Sequence, residues 1–286
     1  MQRSRVGITV FAAALIGLGA LGLIYGDFAL VWQPVPGWVP ARVAIAYVCG
    51  LVSFASGLGL LWRRTMAAAS AVAFVYLLLW LVLLRVPAIF TAPRVEVSWS
   101  GCGENAVALA GALALFAVFG SPGDRLTFAS GMGDDRATRG VYAARIMLGI
   151  ALIPCGLAHL VYLKDTAAFV PAWIPGHVDW AIATALGFFA AAAGILFSVY
   201  ARLAAAMVTG MMAAFTLLIW MAGLITAPAD RMQWTGLFVS WLLTGGSWVV
   251  AETYRGVPWL DARPRRVQAL ASASISGAAF VPKAKG

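Results

Sequence analysis

The chain has 286 residues, of which 62% are hydrophobic and only 11% charged, and its mean hydropathy is +0.89. Soluble domains carry about 25% charged residues, so this chain cannot cover a water-facing surface and reads as an integral membrane protein in a lipid bilayer. Its net charge of +9 would suit a nucleic-acid ligand, but the cations sit in short breaks between apolar runs, and nucleic acid is excluded as a partner.

A helix needs about 20 apolar residues to cross the hydrocarbon core. In chain order eight runs meet or approach that length: 6–25, 43–62, 66–86, 105–120, 146–162, 181–200, 203–225 and 235–251. Each is continuous and longer than the roughly 10-residue strands of a membrane barrel. Helices satisfy their own backbone in lipid, so the expected fold is all-α with eight transmembrane helices. Arg3 and Arg5 ahead of the first run resemble a signal peptide, but the apolar core exceeds the usual 7–15 residues, and a retained span is expected.

Lysines and arginines set the orientation. With the N-terminus inside, fifteen of the 20 fall in inner breaks, and five (Arg42, Arg85, Arg94, Lys164, Arg231) fall in outer ones. This bias predicts a multi-pass protein of a bacterial inner membrane with both termini cytoplasmic.

The halves echo one another. Gly50 and Gly57 match Gly187 and Gly194, and Ala44 and Ala46 match Ala181 and Ala183. Arg64 matches Arg202, the Leu77–Trp80 stretch matches one ending at Trp220, and Thr91-Ala92-Pro93 matches Thr226-Ala227-Pro228. Trp99 and Gly101 match Trp234 and Gly236, and Pro36-Gly37 matches Pro175-Gly176. Four spans per half give both halves the same facing, so two parallel-repeat four-helix bundles are expected. The glycine-bearing second and sixth helices are expected to pack inside them. The domain reading is a first unit at 1–120, a Gly-rich cytoplasmic linker at 121–140, a second unit at 141–254, and a basic tail at 255–286 too poor in apolar mass to order.

Sets of four long apolar helices, the Pro171–His177 loop with its tryptophan, an arginine opening the third helix of the set, and the Trp99-Ser-Gly-Cys-Gly-Glu-Asn105 stretch together resemble the DoxX/DoxD-like membrane proteins. The resemblance covers roughly 6–120 and 142–251. It implies a tandem four-helix fold and a membrane subunit of a quinone-linked redox system, with quinone as the candidate ligand and the electron carrier in a partner subunit.

Polar residues gather at the expected outer face. Glu104 is read as beginning the fourth helix. His159 lies one turn from the end of the fifth, sharing a face with Cys155 at i and i+4, and His177 opens the sixth. A carboxylate and two imidazoles at one rim could exchange protons with a quinone headgroup; the plainer reading makes them rim residues in contact with water and headgroups. Arg42, Asp179 and Trp173 are the ligand-contact candidates, and Arg42 and Asp179 are expected to pair across the axis between halves. Cys102 and Cys155 are the candidate redox thiols. No CxxC or zinc spacing is present, and no covalently bound cofactor or metal is expected. Gly17–Gly22 is formally GxGxxG, but mid-span it reads as helix packing. Most tryptophans, Trp32 included, read as an interfacial belt; Trp80 and Trp220 lie deeper. The methionines Met207, Met211, Met212 and Met221 read as bundle core. The alternative function is a non-enzymatic scaffold or small-solute carrier, and a homo-oligomer is a candidate state.

Overall fold

The computed structural model describes residues 5–120 and 135–262. The linker reading at 121–134, the tail from 263 onward and the cations they carry lie outside the described residues. Among the described residues there are only helices and turns: α1 Val6–Tyr25, α2 Arg42–Leu61, α3 Met66–Thr91, α4 Glu96–Phe119, α5 Asp135–Val161, the short α6 Leu163–Ala168, α7 His177–Leu196, α8 Ala201–Thr226 and α9 Arg231–Glu252. Eight of them are long and apolar enough to cross a membrane. Large side chains such as Phe90, Ile24, Ile225 and Phe197 stay exposed at 71–80%, a surface that suits lipid and not water.

Two boundaries differ from the sequence reading. Helix α4 begins at Glu96 instead of near 105, because Glu96, Ser98 and Ser100, which interrupt the apolar run, point inward and are buried. Glu104 is therefore a mid-helix residue. Helix α5 begins at Asp135, inside the segment read as linker, and continues through Pro154. The first part of the expected tail also packs. Tyr200 donates its amide to Asp261 O at 2.8 Å, Arg202 donates to Val257 O at 2.9 Å and lies 4.1 Å from the Trp259 ring centre. Aromatic and carbonyl partners supply there what apolar mass does not.

Helices α1, α2, α3 and α4 pack in sequence, as do α5, α7, α8 and α9. The halves are not closed off from each other: α1 packs along α9, α5 packs along α4, and α4 crosses α9 in the middle. Those central helices are the most enclosed, with 56% and 61% of their spans buried, against 33% for α2 and 39% for α7. The interior position expected for α2 and α7 thus belongs to α4 and α9. Small residues permit it, since Gly246 lies against Val107 O and Ala108 Cα of α4, and Gly245 against Phe11 of α1. Close backbone approach supplies the dispersion contact that drives helix association in lipid. Gly19 and Gly22 of the GxGxxG stretch face Gly50 and Phe54 of α2, which is helix packing.

Helices α3 and α8 share a local device. Each switches to π-helical turns near its end, at Leu81–Arg85 and Thr216–Met221. Each then stops at an alanine of the same conformation, Ala92 (φ −138°, ψ 62°) and Ala227 (φ −136°, ψ 66°). In each corner an indole N–H closes the turn at 2.9 Å, Trp99 onto Pro93 O and Trp234 onto Pro228 O. Single π turns insert a residue and re-aim side chains, often at functional sites.

Candidate functional site

The face that carries Asp27 holds two constructions. The first is a clamp. Asp27, just past α1, accepts from Arg42 Nη1 of α2 at 2.5 Å and from Arg231 Nη1 of α9 at 3.2 Å. It also accepts from the Phe28 amide at 2.8 Å, and Arg231 Nη2 donates to Phe28 O at 2.7 Å. Burial pushes the Asp27 carboxyl up, but the Phe28 amide and the two guanidiniums outweigh it and hold the group below its ordinary 3.8. The pairing expected between Arg42 and Asp179 does not form. Asp27 lies nearer to Arg42, and Asp179 stays in the first turn of α7 beside Gly176, where a carboxylate suits the helix dipole. A link between the halves does exist, made by Asp27 and Arg231.

The second construction is a cavity of about 770 Å³ enclosed by α4, α5, α6, α7, α8 and α9 and roofed by Leu30, Val31 and Trp32 of the first connecting loop. That volume lies in the range of small-molecule sites. The roof is held from below. Arg85 Nη2 of α3 donates to Val31 O at 2.9 Å and to Trp32 O at 2.6 Å, while its guanidinium lies against Gly101 and 5.9 Å from the Trp32 ring centre. Val31 adopts φ +62°, a conformation a β-branched residue rarely takes, and the Arg85 bond to its carbonyl holds it there. Trp32 is thereby only 4% exposed, and its ring packs within the protein.

The walls are mostly aromatic and aliphatic. Phe188, Phe215, Trp180 and Trp220 supply rings, and Met211 and Met212 supply flexible thioethers. Met207, expected with them in the core, is 66% exposed. Against this surface stand a few polar groups. His159 projects from α5, and its Nδ1 lies 2.8 Å from Thr184 Oγ1 of α7. Its ring packs edge-on to Phe188 at 5.2 Å and stacks near Phe215 at 5.7 Å. Glu104 lines the cavity from α4, within electrostatic reach of Arg85, and it makes no hydrogen bond to a described residue. Cys155, one turn before His159, is buried and lines the same wall; Asp165 of α6 stands toward the Asp27 face. Thr216 closes the α8–α9 wall, 2.8 Å from Ser240 Oγ and 3.1 Å from Thr244 Oγ1.

Of the residues singled out from the sequence, Glu104, His159 and Cys155 therefore meet at one cavity. His177 is the first residue of α7 and does not line it. Trp173 is 74% exposed. Arg42 belongs to the clamp, and Cys102 and Asp179 lie outside the lining. Trp80 packs on Phe28 at 5.6 Å and Tyr76 at 5.9 Å, so only Trp220 of the deep pair reaches the cavity. Sequence reading missed Thr184, Phe188 and Phe215, because a threonine or phenylalanine in an apolar run carries no local signal.

No family model matches the chain, and no curated protein or solved structure matches it either.

Proposed function

We propose that this polytopic membrane protein binds a lipid-soluble, ring-bearing ligand of the quinone class in the cavity beside His159. We further propose that it serves as the membrane subunit of a redox system, with His159 and Glu104 exchanging protons with the ligand's polar head. The observation that carries the binding reading is the 770 Å³ cavity, in which the His159 imidazole and the carboxyl groups of Glu104 and Asp165 face an aromatic wall. Apolar chambers with few convergent polar groups are the usual form of ligand sites, and ionisable residues within a span are costly enough to imply use. Cys155 is a thiol contact in this reading. The redox role comes from the DoxX-like resemblance, and the electron carrier belongs to a partner subunit. His177, Arg42, Asp179 and Trp173 have no part in the site.

We place the Asp27 face outside, following the lysine and arginine bias, with the membrane a bacterial inner membrane. The halves are read as a parallel repeat; the shared π turns and indole-closed corners of α3 and α8 support that reading.

The test is titration of the purified protein in lipid nanodiscs with decylubiquinone, read as quenching of intrinsic tryptophan fluorescence. Saturable quenching is expected. Ala158→Trp, which fills the cavity from its wall, should abolish it, and His177→Ala should leave it intact. Quenching that never saturates, or that survives Ala158→Trp, overturns the reading. Uptake of small polar solutes without quinone binding would support the carrier alternative.

A further inference from the structure

We infer that the cavity selects a ligand presenting a hydroxyl donor, the hydroquinone or phenol form over the quinone, and that Thr184 is the positioning residue that sets this preference. The inference rests on the ligand-binding reading above.

Thr184 Oγ1 lies 3.0 Å from Ala181 O, to which it donates, and 2.8 Å from His159 Nδ1. A hydroxyl has a single hydrogen, and a backbone carbonyl can only accept. In the inferred assignment the hydroxyl hydrogen goes to Ala181 O, Thr184 offers His159 a lone pair, and Nδ1 carries the imidazole hydrogen. The neutral ring then has a bare lone pair at Nε2. No described residue bonds to Nε2, while Phe188 and Phe215 fix the ring plane. The open valence of His159 is therefore an acceptor.

Three hydroxyls of the lining share that sign. Ser100 donates to Glu96 Oε2 at 3.2 Å, and Thr235 donates to Arg231 O at 2.9 Å. Thr216 donates to Met212 O at 3.0 Å, which leaves Ser240 to donate to Thr216 at 2.8 Å. Ser100, Thr235 and Ser240 of the lining thus point their hydrogens into the protein, whereas Tyr162 Oη accepts from the Val97 amide at 3.2 Å and keeps its own. A quinone carbonyl meeting Nε2 sets acceptor against acceptor, whereas a hydroquinone O–H pairs with it. A site built to bond a hydroxyl rejects the analogue that lacks one, because its own polar group is left unpaired.

The experiment compares decylhydroquinone, decylbenzoquinone and the dimethyl ether of the hydroquinone, by anaerobic isothermal titration into the nanodisc-embedded protein. Wild type should bind the hydroquinone about tenfold more tightly than either other ligand, the ratio expected for one hydrogen bond made or lost. Thr184→Ser, which keeps the hydroxyl, should retain the preference. Thr184→Val, which removes the acceptor and frees the tautomer, should reduce it to within about twofold. Nitrogen-15 NMR of the His177→Asn protein, whose one remaining histidine is His159, should report hydrogen on Nδ1. Equal binding of all three ligands, a preference that survives Thr184→Val, or hydrogen on Nε2 would each overturn the inference. If none of the three binds, the ligand-binding reading falls with it.

Discussion

The two corners where α3 meets α4 and where α8 meets α9 share a backbone frame and are plugged differently. Both have a π-helical stretch, an alanine stop and an indole-to-proline-carbonyl bond. Arg85 lies over Gly101 in one, and Trp220 lies over Gly236 in the other. The Arg85 corner is tied down: its guanidinium holds two loop carbonyls, and beneath the same loop Gln33 donates to Tyr76 Oη at 2.9 Å. Trp220 forms no such tie and lines the wall of the 770 Å³ chamber. One frame thus yields an anchor at Arg85 and a chamber wall at Trp220, according to whether the plug residue donates to the loop above it.

The comparison can be broken at its anchor. Arg85→Leu leaves the carbonyls of Val31 and Trp32 without their donor, at roughly 1–3 kcal/mol for a buried group. A loss near 3 kcal/mol is expected in reversible unfolding in mixed micelles, together with weaker ligand binding because the chamber loses its roof. A variant as stable as wild type would show that the guanidinium does not anchor the loop.

The clamp between the corners comes next. Asp27→Asn should cost about 2 kcal/mol, the usual loss for hydrogen bonds to charged groups. The carboxyl is held below its ordinary value, so its contribution is complete above about pH 3.8 and disappears as pH falls through the lower folded value. Unfolding midpoints measured from pH 6 to pH 2.5 should converge for wild type and Asp27→Asn at the acid end. A constant gap would remove the charge from the explanation.

The smallest effect is at the chamber's base. Thr216→Val deletes the α8 side of the Ser240 and Thr244 contacts. Interhelical bonds in membranes average about 0.6 kcal/mol, so about 1 kcal/mol is expected, with the hydroquinone preference unchanged. A loss of that preference would mean that Ser240 takes part in ligand contact.

Sequence reading reached the eight spans because hydrophobic length is a one-dimensional property. It failed at α4, where Glu96, Ser98 and Ser100 break the apolar run yet face inward; hydropathy does not record direction. It also matched Trp80 with Trp220 by identity. Counting back from the Thr-Ala-Pro and Trp-x-Gly segments, which hold one constant offset between halves, sets Arg85 opposite Trp220 and Trp80 opposite Phe215. That count was open to sequence alone and would have found the difference between the corners. Glu104, Cys155 and His159 were legible as rare polar residues near a span end. Their convergence was not, since it depends on α4 packing along α5 across the two halves. Thr184 had no signal at all, because its role lies in a 2.8 Å contact with another helix.

The ligand chamber, walled mainly by the second half and roofed by the first, is tested by diffraction at the bromine edge from crystals grown with a brominated decylhydroquinone. Anomalous density is expected between His159 and Trp220, under the Val31–Trp32 roof. Density outside the chamber, or an empty chamber at saturating ligand, would overturn the ligand site.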